Sequence, residues 1–283
     1  MNALLNDKLR DQLMSPRLKQ THKGFYGHVL IVGGGLGMPG SVGLAANAAF
    51  RVGSGMVSVA TWPDYARQSL SGLPEVMIHA AIDPQSLTPL LSSATVCILG
   101  PGLGEDDWAK QLYSKVISTL HPLVIDASAL RLLAKSHQQH DSHALRNNWV
   151  LTPHPGEAAA LLGCSADDVQ SNRLTSAKRI QQQYGGTVVL KGHESIIVDT
   201  QLNVSTCAAG NPGMATAGMG DVLSGVIGGL MAQGITPSDA ARLGVWLHAT
   251  AGDLAATTHG ERGLMASDLM PYLHQLSNPM KPI

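Results

Sequence analysis

The residues best suited to binding and catalysis lie in the stretch 210–230, where a loop of small residues runs into an apolar segment. The loop ends in Gly218-Met219-Gly220, and Asp221 follows directly. Apolar residues after Asp221 recur at helical spacing, which predicts a helix that begins near Gly220. Free N–H groups at a helix N-terminus bind anions, and glycines let anion oxygens approach them closely. This stretch therefore predicts a phosphate site with a carboxylate beside it.

Asp221 has two interpretations at this position. A carboxylate repels a neighbouring phosphate, so its presence favours a chemical role, such as accepting the proton of an attacking hydroxyl group. Alternatively, Asp221 caps a buried helix that follows an ordinary glycine-rich turn. The stretch taken alone leaves both interpretations open.

Short apolar runs typical of buried parallel strands begin near residues 28, 56, 95, 123, 149 and 187. Helical patterns separate these runs, which predicts an α/β fold of three layers, α/β/α, with a mainly parallel sheet. Residues 1–26 are polar and are interpreted as an N-terminal arm, and residues 27–283 as one domain, because no Pro- or Ser-rich linker divides them.

Loops that follow the predicted strands carry the remaining candidate residues. Right-handed crossovers place the loops 33–40, 100–104, 152–157 and 210–221 at one edge of the sheet. The 33–40 loop lacks the G-x-G-x-x-G spacing of dinucleotide sites, so we interpret it as a loop that admits a bulky ligand. Asp126 and His154 lie at strand ends but have structural alternatives, as a helix cap and a rigid surface residue. Lys191-Gly192 offers a cation to a nucleotide, or forms a solvated hairpin.

Composition excludes several classes of function. The formal net charge is -1 and charged residues make up 14%, so neither nucleic acid nor an anionic membrane is expected as a partner. The three cysteines are dispersed and form no C-x-x-C pair. No secretion signal or transmembrane run is apparent, so a cytoplasmic protein is expected. The spaced histidines at 137, 140 and 143 lie in a polar segment, and no metal ligands are predicted; His248 and Asp253 are interpreted as structural.

Six segments in the same order resemble the ADP/ATP-dependent NAD(P)H-hydrate dehydratases of the ribokinase-like superfamily, over about residues 22–270. They are 22–27, 33–40, 100–104, 152–157, 191–192 and 210–221. The resemblance implies a repair reaction, in which hydrated NAD(P)H is phosphorylated by ADP or ATP and loses phosphate to regenerate NAD(P)H. Bacterial members use ADP, and Mg²⁺ is expected to screen the phosphates.

The resemblance also assigns residues. It implies that Gly218 and Gly220 form the anion hole and that Asp221 accepts the hydroxyl proton. The hydrate is expected to contact Gly40, Ser41, Gly102, Gly104, His154 and Asp221. The nucleotide is expected to contact Lys191, Gly192, His193, Glu194, Ser195 and Gly220. A homo-oligomer is expected from the low charge and the family, which is often tetrameric. A separate NAD(P)H-hydrate epimerase is expected as a partner, because only about 26 residues precede the domain.

The chain departs from the family at two positions. Ser128 replaces a second aspartate after Asp126, and Ala217 replaces a frequent glycine. Two other functions stay open: a small-molecule kinase of the same superfamily, of the hydroxyethylthiazole type, and a nucleotide-binding sensor without turnover. The segment 152–157 and the lead-in at 210–213 favour the dehydratase, and Asp221 argues against the sensor.

Overall fold

A computed structural model describes residues 3–67, 72–138 and 145–278. Ten strands form one sheet in the order β1-β10-β9-β8-β7-β6-β5-β2-β3-β4. The strands are β1 (Ala3–Leu4), β2 (His28–Val32), β3 (Met56–Thr61), β4 (Met77–Ala80), β5 (Val96–Leu99), β6 (Leu123–Ile125), β7 (Trp149–Leu151), β8 (Thr187–Leu190), β9 (Ser195–Val198) and β10 (Val204–Cys207).

Twelve α-helices accompany the strands in the described residues. They are α1 (Asp7–Leu13), α2 (Pro39–Arg51), α3 (Pro63–Ala66), α4 (Thr88–Ser93), α5 (Asp107–Ile117), α6 (Ala127–Gln138), α7 (Pro155–Leu162), α8 (Ala166–Ser171), α9 (Arg173–Tyr184), α10 (Met219–Ala232), α11 (Pro237–His259) and α12 (Met270–Leu276). None of these helices is long and apolar enough to cross a membrane.

The sheet is mainly parallel, as predicted. Among the described strands, β9 alone runs antiparallel to its neighbours. From β2 the chain builds outward to β4, then returns to place β5 on the other side of β2. Ligands bind at such a reversal, beyond the carboxyl ends of the strands. The topology therefore directs the loops after β2 and β5 towards a common site.

Apolar side chains on the two faces of the sheet form two cores. One core contains α1, α2, α10, α11 and α12, and the other contains α4 to α9. Helix α10 packs closely on α2, because a Cβ at Gly225 would lie 2.2 Å from the carbonyl oxygen of Ala45. This close packing fixes the N-terminus of α10 at the carboxyl edge of the sheet.

The structure differs from the sequence prediction in several elements. Strand β4 was not predicted, and the arm contains both α1 and β1, which pairs with β10 in parallel. Buried Leu5 and Leu9 join the arm to the core, while the boundary after residue 26 stays a prediction. Helix α10 begins at Met219 with Gly218 at its N-cap, so the alternative in which Asp221 is the cap is wrong. Residues 140 and 143 lie outside the described part of the chain.

Candidate active site

The carboxyl edge of the sheet holds a cavity of about 810 Å³. Ligand pockets commonly have volumes of roughly 300–1,000 Å³. Residues from five segments line it: Asp126, Ala127, His154, Glu157, Lys191 to Ser195, Ala209 to Pro212, Met214, Ala215, Gly218 to Asp221, Leu223, Val245, His248 and Ala249. The structure thus brings the predicted nucleotide residues of the 191–195 turn together with Gly218, Gly220, Asp221 and His154.

The N-terminus of α10 opens towards this cavity. Gly218 has a φ of 89°, a left-handed conformation that glycine adopts without strain. A Cβ at Gly220 would lie 3.2 Å from the Lys191 Nζ atom. The absence of a side chain at Gly220 therefore leaves the ammonium group next to the first turn of the helix, where unpaired N–H groups and the helix dipole favour an anion.

Lys191 forms a buried ion pair with Asp126, the residue that follows β6. The Lys191 Nζ atom lies 2.7 Å from the Asp126 Oδ1 atom and 3.8 Å from the Glu157 Oε2 atom. The hydroxyl groups of Thr152 and Ser224 also donate to Asp126, each at 2.7 Å. Burial opposes both charges, but this pairing lowers the pKa of Asp126, and the surrounding carboxylates raise that of Lys191. Both groups are therefore charged at neutral pH.

Asp221 is the third residue of α10 and lies between the cavity and α2. Burial and repulsion by Asp126 raise the pKa of Asp221 to about 6, although a hydrogen bond from Ser41 and the charge of Lys191 act in the opposite direction. A carboxylate with a pKa just below neutrality is ionised at neutral pH and holds a transferred proton better than an ordinary aspartate. Asp221 thus has the properties of a general base.

His154 caps α7 with its side chain. Its Nδ1 atom accepts from the backbone N–H groups of Gly156 and Glu157, at 3.0 and 3.3 Å, and its Nε2 atom lies 3.2 Å from the Glu157 Oε1 atom. Both ring nitrogens therefore have partners within the chain. The ring of His154 is half exposed at the cavity. Its predicted contact with the hydrate stays a prediction.

The turn 191–195 connects β8 and β9 as a hairpin, and Arg173 supports it from α9. The guanidinium group of Arg173 donates to the carbonyl oxygens of Leu190, Lys191 and Glu194 over 3.3–3.4 Å. Glu194 has a φ of 55°, a left-handed conformation that tightens the turn. His193, Glu194 and Ser195 all line the cavity, as the nucleotide prediction requires.

The remaining predicted hydrate residues are grouped outside the cavity, where Ser41 adjoins Asp221. Gly40, Ser41, Gly102 and Gly104 do not line the cavity described above. A Cβ at Gly102 would lie 3.0 Å from the Ser41 Cβ atom, so the 100–104 loop packs directly on the start of α2. Among these four residues, Ser41 lies close enough to Asp221 for its hydroxyl group to lower the pKa of that carboxyl group.

The two departures from the family pattern have structural explanations. The Ser128 hydroxyl accepts a hydrogen bond from the Gly104 N–H group over 3.2 Å, so this residue joins α6 to the 100–104 loop. Ala217 is exposed and does not adopt a positive φ, so an alanine there requires no backbone strain. Neither departure disrupts the site.

Sequence reasoning missed how several polar residues support the site. Thr152, Glu157 and Ser224 were not linked to Lys191 and Asp126, and His248 and Asp253 were assigned to structure alone. Burial lowers the pKa of His248 to about 4, and its ring contacts the backbone of Met219. Asp253 accepts two hydrogen bonds from the start of the 210–221 loop. The signal that could have found His248 and Asp253 is the presence of two titratable side chains in a helix that is otherwise largely buried and apolar.

A mainly parallel sheet between two layers of helices, with a helix N-terminus and an aspartate at its carboxyl edge, defines a ribokinase-like protein. The predicted fold class is therefore confirmed. The model of the NAD(P)H-hydrate dehydratase family matches residues 29–275. The chain therefore belongs to the NAD(P)H-hydrate dehydratase family, which confirms the resemblance drawn from its loops.

Individual relatives support this assignment. The ADP-dependent (S)-NAD(P)H-hydrate dehydratase of Neisseria meningitidis is 36% identical, over 93% of this chain and 88% of that protein. The bifunctional NAD(P)H-hydrate repair enzyme Nnr of Coxiella burnetii is 50% identical over 94% of this chain, but the match covers 54% of that enzyme. The chain thus spans about half the length of the bifunctional relatives it matches.

A solved structure gives the same result. The ADP/ATP-dependent NAD(P)H-hydrate dehydratase of Bacillus subtilis, co-crystallized with ATP and Mg²⁺, superposes with a TM-score of 0.82 at 26% identity. The superposition covers 98% of each chain. The fold of this chain is therefore that of a solved NAD(P)H-hydrate dehydratase along almost its whole length.

Proposed function

We propose that this chain catalyses the ADP-dependent dehydration of (6S)-NAD(P)H hydrate to NAD(P)H, a lyase reaction of metabolite repair. Membership of the family and the similarity to the Neisseria ADP-dependent enzyme support the reaction and the donor. The observation that carries the proposal is the position of Asp221, between the phosphate-binding start of α10 on one side and Ser41 on the other.

The proposed reaction has two steps. The hydroxyl oxygen of the hydrate attacks the terminal phosphoryl group of ADP, AMP leaves, and the hydroxyl proton passes to Asp221. Phosphate then leaves the ring as the nicotinamide double bond re-forms, with loss of a ring proton. The sum is hydrate plus ADP to NAD(P)H, AMP and phosphate. Phosphorylation is required because hydroxide is a poor leaving group.

Four groups on the chain are suited to the first step. Asp221, with its pKa raised to about 6, accepts the proton. Lys191 and the N–H groups around Gly218 and Gly220 stabilise negative charge on the transferred phosphoryl group. Ser41 orients the Asp221 carboxylate from the side proposed for the hydrate.

Bound Mg²⁺ would neutralise phosphate charge in this reaction. In the described residues no group of three or more His, Cys, Asp or Glu side chains could hold a metal ion. The site nevertheless fits Mg²⁺, because this ion commonly takes one or two carboxylates and completes its shell with phosphate oxygens and water. Glu157, which lines the cavity, is the candidate carboxylate, since Asp221 is assigned to the proton.

The two sides of Asp221 suggest where each substrate binds. We assign the nucleotide to the cavity, with contacts to Lys191, Gly192, His193, Glu194, Ser195 and Gly220. We assign the hydrate to the opposite side, with contacts to Gly40, Ser41, Gly102, Gly104 and Asp221, and with His154 at the cavity rim. Asp221 then faces the hydroxyl group and the phosphoryl group at once.

The test is the absorbance of reduced nicotinamide when the purified chain is mixed with hydrated NADH, Mg²⁺ and either ADP or ATP. A rise with ADP supports the dehydratase and its donor, and a rise with ATP alone corrects the donor. No rise with protein that binds nucleotide contradicts the dehydratase. Nucleotide consumption with hydroxyethylthiazole would then identify a small-molecule kinase, and binding without any turnover a sensor.

The same proposal extends to the surroundings of the enzyme. We propose that it acts in the cytoplasm, that it assembles as a homotetramer, and that a separate epimerase converts the other epimer of the hydrate into its substrate. The bifunctional relatives support a link to a second repair activity. Light scattering of the purified chain tests the assembly state. For the epimerase, the chain is given a mixture of both hydrate epimers, and only part of the mixture should be consumed until an epimerase is added.

A further inference from the structure

One wall of the cavity is an irregular segment, residues 209–215, that hydrogen-bonds to helix α11. The Asp253 Oδ2 atom accepts from the Gly210 N–H group, and its Oδ1 atom accepts from the Asn211 side-chain amide, both at 2.9 Å. One carboxylate on α11 thus receives two donors from the first residues of this wall.

Asn211 passes this constraint along the wall. Its Oδ1 atom accepts from the Gly213 N–H group at 3.0 Å and caps the short 3₁₀ turn Pro212–Met214. Met214 then lies against α11, because a Cβ at Gly252 would come within 2.4 Å of the Met214 Sδ atom. Asn211, Pro212, Met214 and Ala215 all line the cavity. The hydrogen bonds of Asp253 therefore act on residues that line the cavity.

We propose that Asp253 is a positioning residue for the phosphoryl donor: through Asn211, it holds the cavity wall in the conformation that binds the nucleotide. The inference rests on the proposed function, because it assigns this cavity to the donor. Asp253 contacts neither Asp221 nor Lys191 in the hydrogen bonds and ion pairs of the described residues. Its loss is expected to weaken nucleotide binding and to leave the chemical step unchanged.

A carboxylate suits this position because both of its partners are donors. In the variant Asp253→Asn, one amide NH₂ group would face the N–H of Gly210 or the NH₂ of Asn211. In Asn211→Asp, two carboxylates would face each other. The double variant Asp253→Asn/Asn211→Asp restores each contact. The amide introduced on α11 would accept from Gly210 and donate to the carboxylate introduced on the wall, which would still accept from Gly213.

The experiment measures ADP binding in the presence of Mg²⁺ by calorimetry, and kcat at saturating ADP, for the two single variants and the double variant. Each single variant is expected to raise the Kd for ADP about tenfold, the loss of one hydrogen bond to a charged group, with kcat within about twofold. The double variant is expected to recover most of the affinity, which a merely structural contribution to stability would not explain.

The matched control is Asp239→Asn on the same helix, whose carboxylate contacts Thr236 and Arg242. It lies fourteen residues from Asp253, roughly 21 Å along the helix, and should leave the Kd unchanged. A wild-type Kd in Asp253→Asn, or a folded double variant that binds as weakly as the singles, would overturn the inference. If the single variants do not fold, the double variant decides. Wild-type protein that binds ADP but does not dehydrate the hydrate contradicts the proposed function, and the role of Asp253 is still measured by binding.

Discussion

The two halves of the proposed site, one on the cavity side of Asp221 and one on the Ser41 side, are built by different means. The half that includes the cavity is positioned by side chains: Lys191 with Asp126, Arg173 beneath the hairpin, and Asp253 on the 209–215 wall. The half that includes Ser41 is positioned by backbone. There the N–H group of Gly34 donates to the Pro101 carbonyl at 2.9 Å, and that of Gly35 donates to the Gly102 carbonyl at 2.6 Å.

This difference indicates how each half can be perturbed. Charged side chains can be removed or neutralised, so the cavity half responds to charge substitutions and to pH. Backbone contacts survive most side-chain changes, so the other half responds to added volume at its glycines. Asp221 belongs to both halves, and substitutions there test the whole comparison.

The largest effect is expected from Asp221→Asn. Loss of the proton acceptor should lower kcat by about 10²–10⁴-fold, while the Kd for ADP changes little because the wall, the hairpin and Lys191 remain. In the wild type, kcat/KM should fall as the pH drops below about 6, where Asp221 becomes protonated. Stopped-flow absorbance and calorimetry measure the two quantities. If Asp221→Asn retains turnover, Asp221 is not the proton acceptor and does not link the two halves.

Next in size is the effect of removing the buried cation of the cavity half. Lys191→Met leaves Asp126, whose side chain is 1% exposed, without its counter-ion, and unpaired buried charges cost about 3–5 kcal/mol. Urea denaturation should show a loss of this order, and Lys191→Met/Asp126→Asn should recover part of it. Lys110→Met is the control, since Lys110 pairs with Asp107 on the surface. If Lys191→Met and Lys110→Met lose the same stability, burial of the Lys191–Asp126 pair does not explain the loss.

A smaller effect concerns stability and pH. Folding raises the pKa of Asp221 from 3.8 to about 6, so the folded protein binds this proton more tightly than the unfolded chain. Its stability therefore decreases as the pH rises through this window, by up to about 3 kcal/mol. Asp221→Asn lacks this cost and should be more stable than the wild type at about pH 8, with the gain vanishing near about pH 4. If the gain in stability of Asp221→Asn does not change with pH, it comes from packing and not from the titration of Asp221.

For the backbone half, Gly102→Ala tests added volume. Gly102 has a φ of 59°, and a Cβ there would lie 2.7 Å from the Met38 carbonyl oxygen and 3.0 Å from the Ser41 Cβ atom. The variant should lower kcat/KM for the hydrate by about 10–100-fold and leave ADP binding unchanged. Gly163→Ala at the end of α7 is the matched control, because its φ is 64° but its Cβ would meet open space. Similar losses in both variants would point to backbone strain instead of contact with Ser41.

The smallest effect is expected at Ala127, which follows Asp126 with a φ of 48°. A left-handed conformation costs a residue with a side chain about 1–2 kcal/mol, and the flexibility of glycine in the unfolded chain offsets part of the relief. Ala127→Gly should therefore stabilise the protein by about 0.5 kcal/mol. Thermal unfolding measures this difference, and a loss of stability would show that the conformation is not strained.

The sequence predicted the central strands well because they are continuous apolar runs, as buried parallel strands must be. It did not predict β4, because Met77–Ala80 is a short edge strand whose side chains are not fully buried. It did not predict β1, since a strand of two residues has no period to detect.

The candidate site was predictable where a motif is local and unpredictable where contacts are distant. Gly218, Gly220 and Asp221 are contiguous, so their chemistry could be inferred from spacing. Lys191 and Asp126 are separated by 65 residues and meet because β6, β7 and β8 are neighbours in the sheet. No pattern in the sequence specifies that pairing, nor the contact between Asn211 and Asp253, which are 42 positions apart.

The pairing of β1 with β10 has a consequence for the order of folding. Ala3 lies opposite Ser205, so the first strand meets its partner some two hundred residues later in the chain. During synthesis from the N-terminus, β1 must wait for almost the entire sheet to be made before it can dock. From the time β10 is made until β1 docks on it, β10 presents an open edge to other chains. This strand leads directly into the 210–221 loop. Residues of this domain that are made early in synthesis are thus among the last to reach their native place.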